Sequence, residues 1–114
     1  MKIKTTASLL LVIVYAAATS QAQTQASTQG VGNQQALYSA SLAASCANCH
    51  GTNGKAVAGS SVTSLAGLGK DYFKAQMVAF KAGTRTSTVM HQISKGYNDA
   101  QIESLASYFA VQKK

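Results

Sequence analysis

Cys46-Ala47-Asn48-Cys49-His50 holds both cysteines of a chain of 114 residues, and an imidazole follows the second thiol directly. Two thiols three residues apart can add across the two vinyl groups on one edge of a porphyrin, while the adjacent histidine reaches under the ring to the iron. The pattern therefore points to one covalently bound haem, with Cys46 and Cys49 forming the thioethers and His50 as an axial ligand. Two other chemistries use the same residue types. A Cys-x-x-Cys pair in an oxidising compartment can be a structural disulfide or a thioredoxin-like redox couple, but that context is an α/β sheet, and no run here reads as a strand. Zinc wants four ligands, and beyond the motif His91 is the remaining nitrogen candidate.

Haem iron takes a second axial ligand or keeps an open face. The candidates are Met77, Met90 and His91. Met77 shares a helical face with Phe73 and Phe80, where a methionine usually packs. Met90 follows the polar run Thr84-Arg85-Thr86-Ser87-Thr88-Val89, which can wrap around a haem edge and present a thioether, and it is the expected sixth ligand. His91, next to it, would then point elsewhere.

Outward from the motif the signals are helical. Asn98 is a good N-cap, Gln101 stands three residues later as in a capping box, and Ile102, Leu105, Ala106 and Phe109 follow at helical spacing, predicting a helix over 99–112. A second is predicted over 71–82, closed by Gly83, and a third, rich in Ala and Leu, over 35–45. Residues 51–69 carry five glycines and read as an irregular loop. The expected architecture is all-α, three main helices and long loops. Leu42, Leu65, Leu68, Phe73, Met77, Phe80, Ile102 and Phe109 are the candidate core. A bound haem would supplement it, which matters because so short a chain buries little surface.

Upstream, Lys2 and Lys4 precede an apolar run from Ala7 to Ala18, and Thr19-Ser20-Gln21-Ala22 places small residues three apart. This reads as a signal peptide over 1–22, cleaved after Ala22, since the run is short of the roughly 20 residues a membrane span needs. Residues 23–34 are Gln-rich and read as a flexible segment, leaving a folded domain over 35–114. Export fits the motif, because haem attachment of this kind takes place outside the bacterial cytoplasm; the expected location is the periplasm. The formal charge of +7 falls to about +5 once Lys2 and Lys4 are removed. Lys55, Lys70, Lys74, Lys81 and Lys95 are spread out without the aromatic interleaving of a nucleic-acid surface. They suit solvation, or steering towards an acidic redox partner.

The order of helix, Cys46–His50 motif, glycine-rich loop, middle helix, downstream Met90 and closing helix resembles the class I cytochromes c over nearly all of the chain after the signal. More narrowly, Ser64-Leu65-Ala66-Gly67-Leu68, Tyr72-Phe73, Gln76-Met77, Ala79-Phe80-Lys81, Ser87-Thr88-Val89-Met90 and Lys95-Gly96-Tyr97 resemble the cytochrome subunits of flavocytochrome c sulfide dehydrogenases. The resemblance implies the class I cytochrome c fold, one haem c on Cys46 and Cys49, axial ligation by His50 and Met90, and a partner subunit that carries FAD and oxidises sulfide. In that family a proline usually stands before the Ser-Leu-Ala-Gly stretch, and its neighbourhood offers a carbonyl to the ligating histidine. This chain has no proline, and Thr63 stands in that place.

Three functions follow from these readings. The first is the electron-transfer subunit of such a complex, with no catalysis of its own, and the second is a free diffusible periplasmic carrier. The third is a haem catalyst with an open iron. Tyr97 and Arg85 are candidates to meet a haem propionate.

Overall fold

The computed structural model describes residues 30–114, which contain helices and loops and no strand. The chain divides into two units, residues 1–36 and 37–114. In the first, residues 30–36 are helical and exposed. The flexible segment expected over 23–34 is thus helical at 30–34: Gln34, Gln35 and Ala36 favour helix, and no proline interrupts them. The expected signal peptide, 1–22, and residues 23–29 lie outside the described residues. No described helix is long and apolar enough to cross a membrane.

The second unit begins with α1, helical residues 37–50. It runs five residues beyond the predicted end at Ser45, so the whole Cys46–His50 motif is helical. Alanines at 40, 43, 44 and 47 favour this, and Ser41 and Ser45 return their hydroxyl hydrogens to the carbonyls of Leu37 and Leu42, both at 2.9 Å. Gly51, at φ 82°, ends it; a Cβ there would collide with the Lys55 carbonyl.

α2 spans Lys70–Ala82 and closes on Gly83 in the left-handed conformation, φ 74°. Its inward stripe is Phe73 and Met77. Phe80 is only half-buried; the Arg85 guanidinium covers its ring at 4.6 Å from the centroid. α3 is a single turn, Met90–Ile93, continued by a 3-10 turn over Ser94–Gly96.

α4 spans Asp99–Ala110, within the predicted 99–112. Both bonds of the capping box form: Asn98 Oδ1 accepts from the Gln101 N–H, and Gln101 Oε1 accepts from the Asn98 N–H, each at 2.9 Å. Asn98→Ala is expected to lower stability by about 1 kcal/mol with little change in the site. Urea melts check this, and a loss under about 0.3 kcal/mol would mean the cap is redundant.

α2 packs against α4, with the Phe73 and Phe109 rings 5.6 Å apart. Ala43 of α1 joins them, and Ile102, Leu105, Ala106 and Phe109 of α4 supply most of the cluster. Each large apolar side chain buried here contributes roughly 1.5–3 kcal/mol. At the surface Lys74 Nζ meets Glu103 at 2.7 Å, and this hydrogen bond, reinforced by charge, holds the ammonium above and the carboxyl below their ordinary values. Leu42, Leu65, Leu68, Met90 and Tyr97 pack against the cluster while remaining partly exposed.

Candidate functional site

The loop after α1 is built around one carbonyl. Asn53 and Gly54 turn the chain through φ 55° and 77°, and the Gly54 oxygen then accepts three bonds, from the N–H groups of Leu65 (2.7 Å) and Ala66 (3.0 Å) and from Ser64 Oγ (2.9 Å). On the other side of Thr63, the Val62 N–H donates to Ser60 Oγ at 3.1 Å. Thr63 is therefore pinned from both flanks, and its carbonyl lies 2.6 Å from His50 Nδ1. A carbonyl can only accept, so the imidazole carries its proton on Nδ1 and presents a lone pair at Nε2. The rigidity that a proline would supply comes here from the bonds around Gly54.

Cys46 and Cys49 are both free thiols, the first half-buried and the second exposed. Burial pushes the Cys46 thiol up, against the opposing hydrogen bonds of Ser45, Tyr97 and its own backbone. Cys46 and Met90 lie on the partly exposed rim of the same apolar cluster. Two thiols, one imidazole nitrogen and one thioether form a donor set that suits a covalent haem.

Of the three candidate sixth ligands, Met77 is 5% exposed and belongs to the core cluster. His91 lies beside Ser87: its backbone N–H donates to Ser87 Oγ at 2.9 Å, and its ring Nδ1 lies 3.3 Å from the same hydroxyl. Met90 is half-buried at the first position of α3. Among the described residues no three His, Cys, Asp or Glu side chains are grouped as a metal ion such as zinc would need.

Arg85 and Tyr97, read from the sequence as candidate propionate partners, have other partners here. Arg85 donates to Gln76 besides covering Phe80, and Tyr97 shares a 2.8 Å hydrogen bond with Ser45. Two further contacts have no sequence signal, because they join residues more than fifty apart: that Ser45–Tyr97 bond, and the bond from the Tyr108 hydroxyl to Asn53 Oδ1 at 2.8 Å. A cleft of about 230 Å³ is lined by Ala40, Ala43, Ala44, Ala47, Thr52, Asn53 and Tyr108. Helical spacing puts it on a different face of α1 from Cys46 and Cys49.

The cytochrome c family model matches residues 35–111. The chain is 43% identical over 68 residues to the "Cytochrome subunit of sulfide dehydrogenase" of Chlorobaculum tepidum, covering 60% of each chain. It is 37% identical over 68 residues to a "Thiosulfate dehydrogenase electron acceptor" of Thiomonas intermedia, covering 60% of this chain and 31% of that one. To the protein of the same name in Stutzerimonas stutzeri it is 30% identical over 80 residues, covering 70% of this chain and 34% of that one. The matched stretch thus spans three fifths of the first relative and about a third of the other two.

Proposed function

We propose that this chain, which belongs to the cytochrome c family, is the electron-transfer subunit of a flavocytochrome c sulfide dehydrogenase, taking electrons from the flavin of a sulfide-oxidising subunit and passing them on. One observation supports the haem on which the reading depends: the helical Cys46–His50 turn holds an imidazole whose Nδ1 is fixed 2.6 Å from the Thr63 carbonyl. Membership of the family implies covalent haem c, and the residues fit it. We assign one haem c to this chain, with thioethers at Cys46 and Cys49, axial ligands at His50 and Met90, and FAD on the partner subunit alone.

When bound, haem supplies a one-electron couple. The chain's residues decide how that couple behaves. The Thr63 carbonyl orients His50 and, by accepting its Nδ1 proton, raises the basicity of Nε2. The Met90 thioether, as an iron ligand, would favour the ferrous state and lift the potential above that of a bis-histidine site. With His50 and Met90 both holding the iron, no position would be left on it for a substrate, and the chain would carry electrons and leave catalysis to its partner. We assign the protein to the periplasm, with residues 1–22 removed after Ala22.

The Chlorobaculum relative supports a sulfide dehydrogenase partner by its name, and the flavin on that partner rests on the family resemblance. The second reading, a free diffusible carrier, is supported by the two relatives named as electron acceptors of thiosulfate dehydrogenase. Affinity purification of the tagged holoprotein from native periplasm, followed by flavin analysis, separates the two. A flavin-containing subunit that stays bound through washing is expected. A chain that elutes alone, and whose reduction by periplasmic extract slows as salt screens its lysines, would favour the carrier.

A further inference from the structure

Tyr97 is tied to three parts of the unit at once. Its hydroxyl bonds to Ser45 of α1 at 2.8 Å, its carbonyl accepts from Lys81 Nζ of α2 at 2.7 Å, and its N–H donates to the Ser94 carbonyl at 3.3 Å. Ser45 already gives its own hydroxyl hydrogen to the Leu42 carbonyl, so in the Ser45–Tyr97 bond the phenol is the donor. The ring packs against the apolar cluster.

The segment that Tyr97 terminates is otherwise held by the fully buried Ser94 and by the packing of Met90 itself against the apolar cluster. α3 is four residues long and contains no buried residue, and Val89 and Ile93 on either side of Met90 are 54% and 43% exposed. One helical turn has almost no stability of its own, so its position is set by what it is tied to. At its start the tie is Ser87, which accepts from the His91 N–H. Beyond Met90 it is the buried Ser94 and then Tyr97, whose side chain bonds to α1. Ser45 in turn immediately precedes Cys46, so the phenol joins the Met90 segment to the turn of α1 that bears the first cysteine.

We propose that Tyr97 is a positioning residue: through its hydroxyl bond to Ser45 it holds the Met90 segment closed on α1, and so sets how often Met90 leaves the iron. The proposal rests on Met90 being the sixth ligand. A neutral hydroxyl bond of this kind shifts a local equilibrium about fivefold, equivalent to ~1 kcal/mol. A ligand that binds only the opened form gains in apparent affinity by the same factor.

The probe is imidazole, titrated into the ferric holoprotein and followed by the shift of the main haem absorption, with loss of the far-red thioether–iron band as a second readout in the variants that keep Met90. Tyr97→Phe and Ser45→Ala are each expected to tighten imidazole about fivefold, and the double variant no further, because both remove one bond. Ser45→Thr, which keeps a hydroxyl, is expected to stay near wild type. Tyr108→Phe supplies the control: it removes a hydroxyl bond of the same kind, to Asn53 at 2.8 Å, that involves neither Tyr97 nor Ser45, and leaves imidazole affinity unchanged. Apparent affinities within twofold of wild type for both single variants, or an equal shift in Tyr108→Phe, would overturn the clamp. Ser45 is exposed, so its variant reports even if Tyr97→Phe folds poorly. Met90→Ala distinguishes the two levels. If wild type already binds imidazole as tightly as that variant, the ligand assignment fails; if Met90→Ala alone tightens it, the ligand assignment stands and the clamp fails.

Discussion

Met90→Ala is expected to abolish the far-red absorption of the ferric protein and to lower its midpoint potential on the order of 0.2 V, a fraction of the ~0.8 V that axial ligands command. The argument is one of position among three candidates. Met77 is packed inside the cluster with Phe73 and Phe109, and withdrawing it would open a cavity in the core. His91 lies beside Ser87, its backbone N–H donating to Ser87 Oγ and its Nδ1 3.3 Å from the same hydroxyl, and it offers a nitrogen donor at Nε2 rather than a thioether. Met90 alone combines a soft donor with a place on the rim that Cys46 also occupies. Alanine at 90 removes the thioether while keeping helix propensity, so the helical content should hold as the spectrum changes. Survival of both the band and the potential would transfer the ligand role to another residue.

Gly54→Ala is the substitution expected to harm the fold most, by about 2–5 kcal/mol. The residue is buried at φ 77°, where an L side chain is strained by roughly 1–2 kcal/mol. Its Cβ would lie 2.7 Å from the Phe109 ring and 2.8 Å from Leu65 Cβ, an overlap of the kind that adds roughly 1–3 kcal/mol. The damage reaches the site as well, because the Gly54 oxygen accepts the three bonds that fix the chain just beyond Thr63, the partner of His50. Chemical denaturation of the holoprotein measures it. A loss below about 1 kcal/mol would mean the loop can shift to admit a methyl group, and that the carbonyl is less central than its bonds indicate.

Much of this was legible in the sequence where the signal is local. The Asn98–Gln101 box and the spacing of Ile102, Leu105, Ala106 and Phe109 locate α4 because both depend on residues a few positions apart. The same holds for α2 and its Gly83 stop. The extension of α1 from Ser45 to His50 was not legible: Cys and Asn are indifferent helix formers, and what carries the helix through them is alanine content and the termination at Gly51. The short turn at Met90–Ile93 escaped notice because a single turn has no periodicity. The half-exposure of Phe80 depends on Arg85, five residues on, folding back over it. Thr63 is the clearest case of partial legibility. A missing proline is visible in the sequence, but its substitute, a set of bonds converging on Gly54 from residues ten or more positions later, exists only in three dimensions.

Among the described residues α4 supplies half of the eight buried apolar side chains, and it comes last of the helices in the chain. Until Phe109 has been made, Phe73 and Met77 have only Ala43 and rim residues such as Leu65 and Leu68 to pack against, so closure of the cluster waits for the end of synthesis.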